Sequence, residues 1–314
     1  MSGVCITAQD PDGGDGVVDL GVDQPSGDLG PDGAGVAMGT GGQGGVGGAA
    51  GMGPDAAGDL ALEAPQPPDW PVCAPPANAD LDTGLLVYLQ LDDGGSNPMI
   101  TDSSTNHLPT TVTGLPTGAS WTAGRFGSAL ALGGGVDGGW VAIPPTTTSD
   151  PVLNNIVGGF SLSVWAKFPP GTPPDGVLLS RRYAGPHGYL YRISVSTGLL
   201  RVEFHTTNST HADVSGNRLL PTDGRWMHLG VSYDVTAAEI QVFVNGESFG
   251  KFTYALSFPA ELTALLIGAE ENATAAMPMT TIDGRLMGSL DEVSVYNRAL
   301  TADQMKALAC GARP

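Results

Sequence analysis

From residue 84 onward, apolar and polar positions alternate with period two in short runs bounded by Gly, Pro, Asn or Asp. The first are GLLVYLQL (84–91), SALAL (128–132), GWVAIP (139–144) and FSLSVWAKF (160–168). GVLLS (176–180), YLYRISVS (189–196), LLRVEFH (199–205) and WMHLGVSYD (226–234) follow. EIQVFVNGESFGKF (239–252), ALLIGA (264–269) and GSLDEVSVYN (288–297) complete the set. Side chains along a strand point alternately to opposite faces, so each run predicts a strand with one apolar face. In FSLSVWAKF that face is Phe160, Leu162, Val164, Ala166 and Phe168, with Ser161, Ser163, Trp165 and Lys167 opposite. Many short strands separated by turn residues predict an all-β sandwich or barrel. The turns carry their own chemistry: Asn245-Gly246 accepts the two positive φ angles of a type I′ hairpin, and Thr197-Gly198 is a second candidate.

One helix closes the chain. Thr301 is a suitable N-cap, Asp303 sits in the first turn, and Leu300, Met305 and Leu308 form an apolar stripe. So short a helix is unstable alone, so it is expected to dock and cover an end of the core.

Residues 1–83 break this pattern. They are rich in Gly, Asp and Pro, with few aromatic or β-branched residues, and cannot bury enough apolar area to offset chain entropy. They predict a disordered, self-repelling spacer ahead of one folded domain at 84–314. The aspartates of DPDGGDGVVD lack the closing Glu and flanking helices of an EF-hand loop.

Charge follows the same division. The net charge is −19, from 32 Asp and Glu against 13 Lys and Arg. Residues 1–84 hold 13 of those acids and no Lys or Arg. An acidic surface without a basic stripe argues against nucleic acid and anionic membranes as partners. No run approaches the ~20 apolar residues of a membrane span. The opening MSGVCITAQD lacks the basic start and apolar stretch of a secretory signal, so either the protein stays inside or this sequence lacks its natural beginning.

Cys73 precedes the first strand pattern and Cys310 follows the helix, at the two ends that a sandwich often brings together. They are either a disulfide stapling those ends or two unrelated thiols. Cys5 is then the odd one, a free thiol or a lipid-modified cysteine behind a mis-called start.

Five segments, in order, carry a resemblance: LDDGGSNPMITDSSTN, GRFGSALALGGG, FSLSVWAKF, GRWMHLGVSYD with IQVFVNG, and GSLDEVSVYNRALTADQMKAL. Over residues 85–309 the chain resembles the LamG-like jelly roll of the concanavalin A-like lectin and glucanase superfamily. Thr105 stands where the family usually has Gly, and Met227 where many members carry His. The resemblance implies a two-sheet antiparallel jelly-roll sandwich. It also implies binding of a glycan or cell-surface protein, or passive display, outside the cell or on its envelope, often with one structural calcium.

By alternation Asp291 shares a side with Val293 and Val295, and a carboxylate facing a core needs a partner, either a hard cation or backbone N–H groups of a neighbouring loop. Asp291 matches the aspartate that ligates calcium in many relatives, and Asp92, at the end of the first strand, is the best second carboxylate. Asp102, with Ser103, Ser104 and Asn106, reads as an Asx-type turn.

Catalysis is not expected. Sugar-cleaving members carry two Glu at alternate positions of one strand so that the carboxyls converge at ~5 Å, and this chain has no such run. No H-E-x-x-H zinc motif, G-x-S-x-G elbow or phosphate loop occurs either. The densest concentration of sugar-binding side-chain types is SRRYAGPHGYLYR (180–192), which offers Arg181, Tyr183, His187, Tyr189 and Tyr191 as ligand contacts, with Trp140 as a further aromatic. Tyr189 and Tyr191 share a face by alternation; the competing reading makes them half-buried sheet residues and the arginines balances for nearby acids.

Overall fold

The computed structural model describes residues 74–76, 79–94, 99–147, 150–156, 158–182, 189–205, 211–256, 258–271 and 281–314. Cys5, Cys73, Tyr183, His187 and the expected spacer up to residue 73 lie outside them. Among the described residues the strands are β1 Leu85–Leu89, β2 Thr111–Thr113, β3 Ala119–Ala123, β4 Ser128–Gly133, β5 Trp140–Ile143 and β6 Gly159–Lys167. Next come β7 Gly176–Arg182, β8 Tyr189–Ser196, β9 Leu199–His205, β10 His211–Leu219, β11 Trp226–Asp234 and β12 Glu239–Val244. β13 Glu247–Thr253, β14 Leu265–Ile267, β15 Glu270–Glu271, β16 Ile282–Asp283 and β17 Met287–Tyr296 complete them, and α1 spans Ala302–Ala309.

These strands make a jelly-roll sandwich, all pairs antiparallel. One sheet has eight strands in the order β13-β12-β11-β6-β17-β4-β3, with β1 also paired to β17. The other has seven, β10-β9-β8-β7-β14-β5-β2, and β15 pairs with β16 alone. β17 is the hinge of the topology: β6 lies along one edge, while β4 takes Met287–Leu290 and β1 takes Val293–Tyr296 on the other. Both hairpin turns adopt the expected geometry, with φ of 53° and 76° at Asn245 and Gly246 and 49° and 80° at Thr197 and Gly198.

The main core lies between the sheets. Phe160, Leu162, Val164 and Ala166 of β6, with Phe168 just beyond it, enter it, as the alternation predicts, and meet Tyr191, Ile193, Val202 and Phe204 from the opposite sheet. Phe160 and Tyr191 stack at 4.5 Å between centroids.

A second apolar layer covers the outside of the eight-stranded sheet. Met305 and Leu308 of α1 pack with Phe243, Tyr296, Leu300 and Leu81. Thr301 and Gln304 cap the helix reciprocally, which stabilises its start. The helix therefore lies on a sheet face, and does not cover an end of the inter-sheet core as expected. Gly230 makes room for it: a Cβ there would stand 2.9 Å from Met305 Sδ. Because Leu81 is buried and Arg298 donates to the Asp80 carbonyl, the packed domain includes residues just ahead of 84.

Candidate functional site

The end of β1, the turn at 124–128, β17 and the C-terminal segment converge on a group of carboxylates. β17 carries one extra residue here. Asp291 pairs with Trp165 and Ser294 with Ser163, so the register shifts by one and Glu292 takes a φ of 51°. The bulge keeps Val293 and Val295 in the main core but turns Asp291 outward, onto the face of Trp165. This corrects the expectation from strict alternation, which cannot foresee a bulge.

Asp291 is nevertheless fully buried. Its Oδ2 accepts from Phe126 N–H at 2.9 Å, while Oδ1 is buried with no hydrogen-bond partner. Burial pushes its pKa up to about 7; the Phe126 N–H opposes that, and the neighbouring Glu292 and Asp92 charges reinforce it. Asp92 Oδ1 accepts from Ser128 N–H at 2.6 Å, and its Oδ2 lies 3.4 Å from Arg313. Glu292 accepts from the Tyr88 hydroxyl and from Arg313. Burial raises its pKa too, against the pull of those two donors. Arg313 thus supplies a tethered positive charge to two of the three acids. Its guanidinium also lies 5.3 Å from the Phe126 ring centroid.

A hard cation is compatible with part of this donor set. Calcium takes six to eight oxygens; Asp291 has one buried oxygen with no partner, and Asp92 stands close enough to repel it. No group of three or more His, Cys, Asp or Glu that could hold a metal occurs among the described residues, so backbone carbonyls or water would have to complete the shell. Asp102 is a separate, structural carboxylate, accepting from the N–H groups of Tyr88, Ser104 and Leu108 at 2.8–3.0 Å. Cys310 is disulfide-bonded.

The outer face of the seven-stranded sheet is different in kind. The inward residues of β8 and β9 are paired in register, so Arg192, Ser194, Arg201 and Glu203 point out together. Arg192 bridges Glu203 and Glu270, and Arg201 donates to Asp213 at 2.8 Å. Burial raises the pKa of Glu270, with Arg192 opposing. Beside this network is a cleft of about 540 Å³, lined by Gly135, Val136, Asp175, Arg192, Arg201, Asp283, Arg285 and Met287 among others. Arg285 lies over Trp140, its guanidinium carbon 4.9 Å from the ring centroid.

The structure separates the ligand contacts expected from sequence. Arg181 is fully buried and donates to Asp150 at 2.8 Å and to the carbonyls of Leu153, Thr263 and Glu261. Tyr191 is core. Neither can touch a ligand, which corrects those two assignments: a guanidinium so enclosed serves as an internal crosslink. Tyr189 parts from Tyr191, because the pairing of β7 with β8 slips between Arg181 and Arg182, and stands against Arg192 at 5.1 Å. Trp140 is half-buried beside the cleft. Arg192 and Arg201 were missed, although the alternation in YLYRISVS and LLRVEFH already puts them opposite the apolar face. No local signal marks Arg285, whose partner Trp140 is distant in sequence.

Residues 136–306 match the family model of the Concanavalin A-like lectin/glucanases superfamily, more than half of the chain. The chain belongs to that superfamily. No curated protein matches the sequence of this lectin-like chain. Among solved structures it is similar to the binding domain of Paraclostridial Mosquitocidal Protein 1, with a TM-score of 0.54 and 15% identity over 73% of this chain and 52% of that one. A botulinum neurotoxin DC binding domain in complex with SialylT gives 0.53 and 11% over 73% and 52%. A botulinum neurotoxin type C structure, whose cell entry depends on two ganglioside molecules, gives 0.53 and 12% over 74% and 52%. The lectin-like chain thus spans about half the length of these structures, and at such identity the likeness is one of fold. No helix among the described residues is long and apolar enough to cross a membrane.

Proposed function

We propose that this protein is a non-catalytic binding module that takes a glycan or a surface ligand at the open face of its seven-stranded sheet. The observation that carries this is the cleft: planar guanidinium groups, carboxylates and exposed apolar side chains line it together. Similar folds in the neurotoxins engage SialylT and gangliosides, which supports a sugar as the ligand class. Two of the carboxylates on the face, Glu203 and Glu270, are both tied to Arg192, so neither is placed as a free acid or nucleophile. The module works outside the cell or on the envelope of a bacterium. A structural calcium between Asp92 and Asp291, and a disulfide joining Cys73 to Cys310, fasten its two ends.

A glycan array probed with the full chain, with and without calcium, tests this. Specific binding that Trp140→Ala or Tyr189→Ala abolishes, with the fold intact by circular dichroism, supports the reading. Absence of binding at every calcium concentration favours the second reading, a display or adhesive domain without a small ligand.

A further inference from the structure

The charged groups around the cleft are not equivalent. Arg192 and Arg201 are already held by carboxylates. Arg181, Arg225, Arg298 and Arg313 elsewhere in the molecule also reach acids. Arg285 has no carboxylate partner among the described residues. Its Nη1 reaches only the Gly135 carbonyl, at 3.4 Å, and its Nε is shielded from solvent with no acceptor. In a chain with 32 acids to 13 bases, a guanidinium left outside every ion pair is an exception.

The contact with the Trp140 ring holds that guanidinium beside the cleft while leaving most of its N–H donors unused. A flat fork of donors matches the two oxygens of a carboxylate. Val136 (87% exposed) and Met287 (55%) line the same cleft, offering apolar surface where water-facing side chains would be expected. Asp175 and Asp283 also line it. Carboxylates accept from sugar hydroxyls, and they repel any second anion brought close.

We propose that the cleft selects a saccharide bearing a single, isolated carboxylate, as in a uronic or sialic acid, with Arg285 gripping the carboxylate. The proposal rests on the reading of this cleft as the glycan site. Arg285 is its specificity-determining residue: the carboxylate docks on the fork, the apolar rim meets a C–H face of the ring, and Asp175 takes a hydroxyl. Polyanions are rejected, because one unpaired cation beside two acids, in a chain of net charge −19, cannot compensate a row of sulfates.

Isothermal titration of the full chain with matched probes tests this: sialyllactose against lactose, galacturonate trisaccharide against galactotriose, and heparin as the polyanion. At least one carboxylated sugar is expected to bind roughly tenfold or more tighter than its neutral partner, about the margin one charge-assisted contact gives. Which pair shows the margin distinguishes the two acid types. Arg285→Gln is expected to bring the paired affinities within about threefold of each other, a difference worth under one hydrogen bond. Arg285→Lys, which keeps the charge but not the fork, is expected to fall between, and guards against a folding defect in the first variant. Arg225→Gln, away from the cleft, should leave the preference unchanged. Equal binding of acidic and neutral sugars, a preference that survives Arg285→Gln, or tightest binding to heparin would each overturn the proposal while leaving a glycan site standing. Failure to bind any saccharide would overturn both.

Discussion

The outer face of the eight-stranded sheet is roofed by α1 and the 124–128 turn, and it buries Trp165, Tyr296, Phe243 and Met305. The outer face of the seven-stranded sheet carries Arg192, Ser194, Arg201 and Glu203, with an open cleft beside them. Inside the sandwich the two sheets are alike, so the difference lies in what each was given to cover. A face that acquires an apolar lid becomes a second core and can only stabilise. A face left polar and concave keeps its hydrogen-bonding groups available to a ligand.

Substitutions should respect that division, beginning with the largest effect. Arg181→Ala leaves Asp150 buried and unpaired and is expected to cost about 3–5 kcal/mol in denaturant unfolding. Arg201→Ala, on the open face, should cost under ~1 kcal/mol. Similar losses for the two would mean that the faces are not distinct. Met305→Ala should cost about 2–5 kcal/mol, because the helix loses its anchor over Gly230; a loss below half a kcal/mol would show that the lid is dispensable.

The third effect concerns the fastening of the lid. Calcium at about a hundred times its dissociation constant should add about 2.7 kcal/mol to stability, read as a rise in melting temperature, and Asp291→Asn should remove that rise. An unchanged melting temperature over all calcium concentrations would leave Arg313 as the cluster's cation.

The smallest effect is a pH slope. Trp165 lies in register between Asp291 on β17 and His228 on β11. Burial lowers the His228 pKa from 6.5 to about 3, so the unfolded chain binds the extra proton between those values. Stability from His228 is full above 6.5 and falls as pH drops toward 3, at up to ~1.4 kcal/mol per unit. Asp291 has the opposite sign. Its pKa is raised from 3.8 to about 7, so its contribution is full below 3.8 and is lost as pH climbs through 7. In metal-free buffer the two largely offset each other between those limits. Relative to the parent chain, urea midpoints from about pH 4.5 to 6.5 should therefore slope more steeply downward with rising pH in His228→Gln and tilt upward in Asp291→Asn. Parallel profiles in the two variants would break the assignment.

The sandwich was legible in the sequence because period-two alternation records which side of a strand is dry. The α1 cap and the two type I′ turns were legible because each depends on a few adjacent residues. What escaped depends on contacts between distant segments. The bulge at Glu292 turned Asp291 to the unexpected face, and a buried pairing with Asp150 removed Arg181 from the surface. Asp150 stands in a loop with no pattern of its own, so nothing near Arg181 announced that partner. The cleft itself joins residues 135–136, 175–177, 192–201 and 282–287, which only the fold assembles.

The extra residue in β17 has a practical consequence. Because Leu290 already points inward and Val293 does so again, excising Glu292 would leave Leu, Asp, Val and Ser in regular succession with no side chain changing sides. A chain shortened at Glu292 is therefore expected to keep the side-chain alternation of β17 while freeing Tyr88 and Arg313 from their shared anchor.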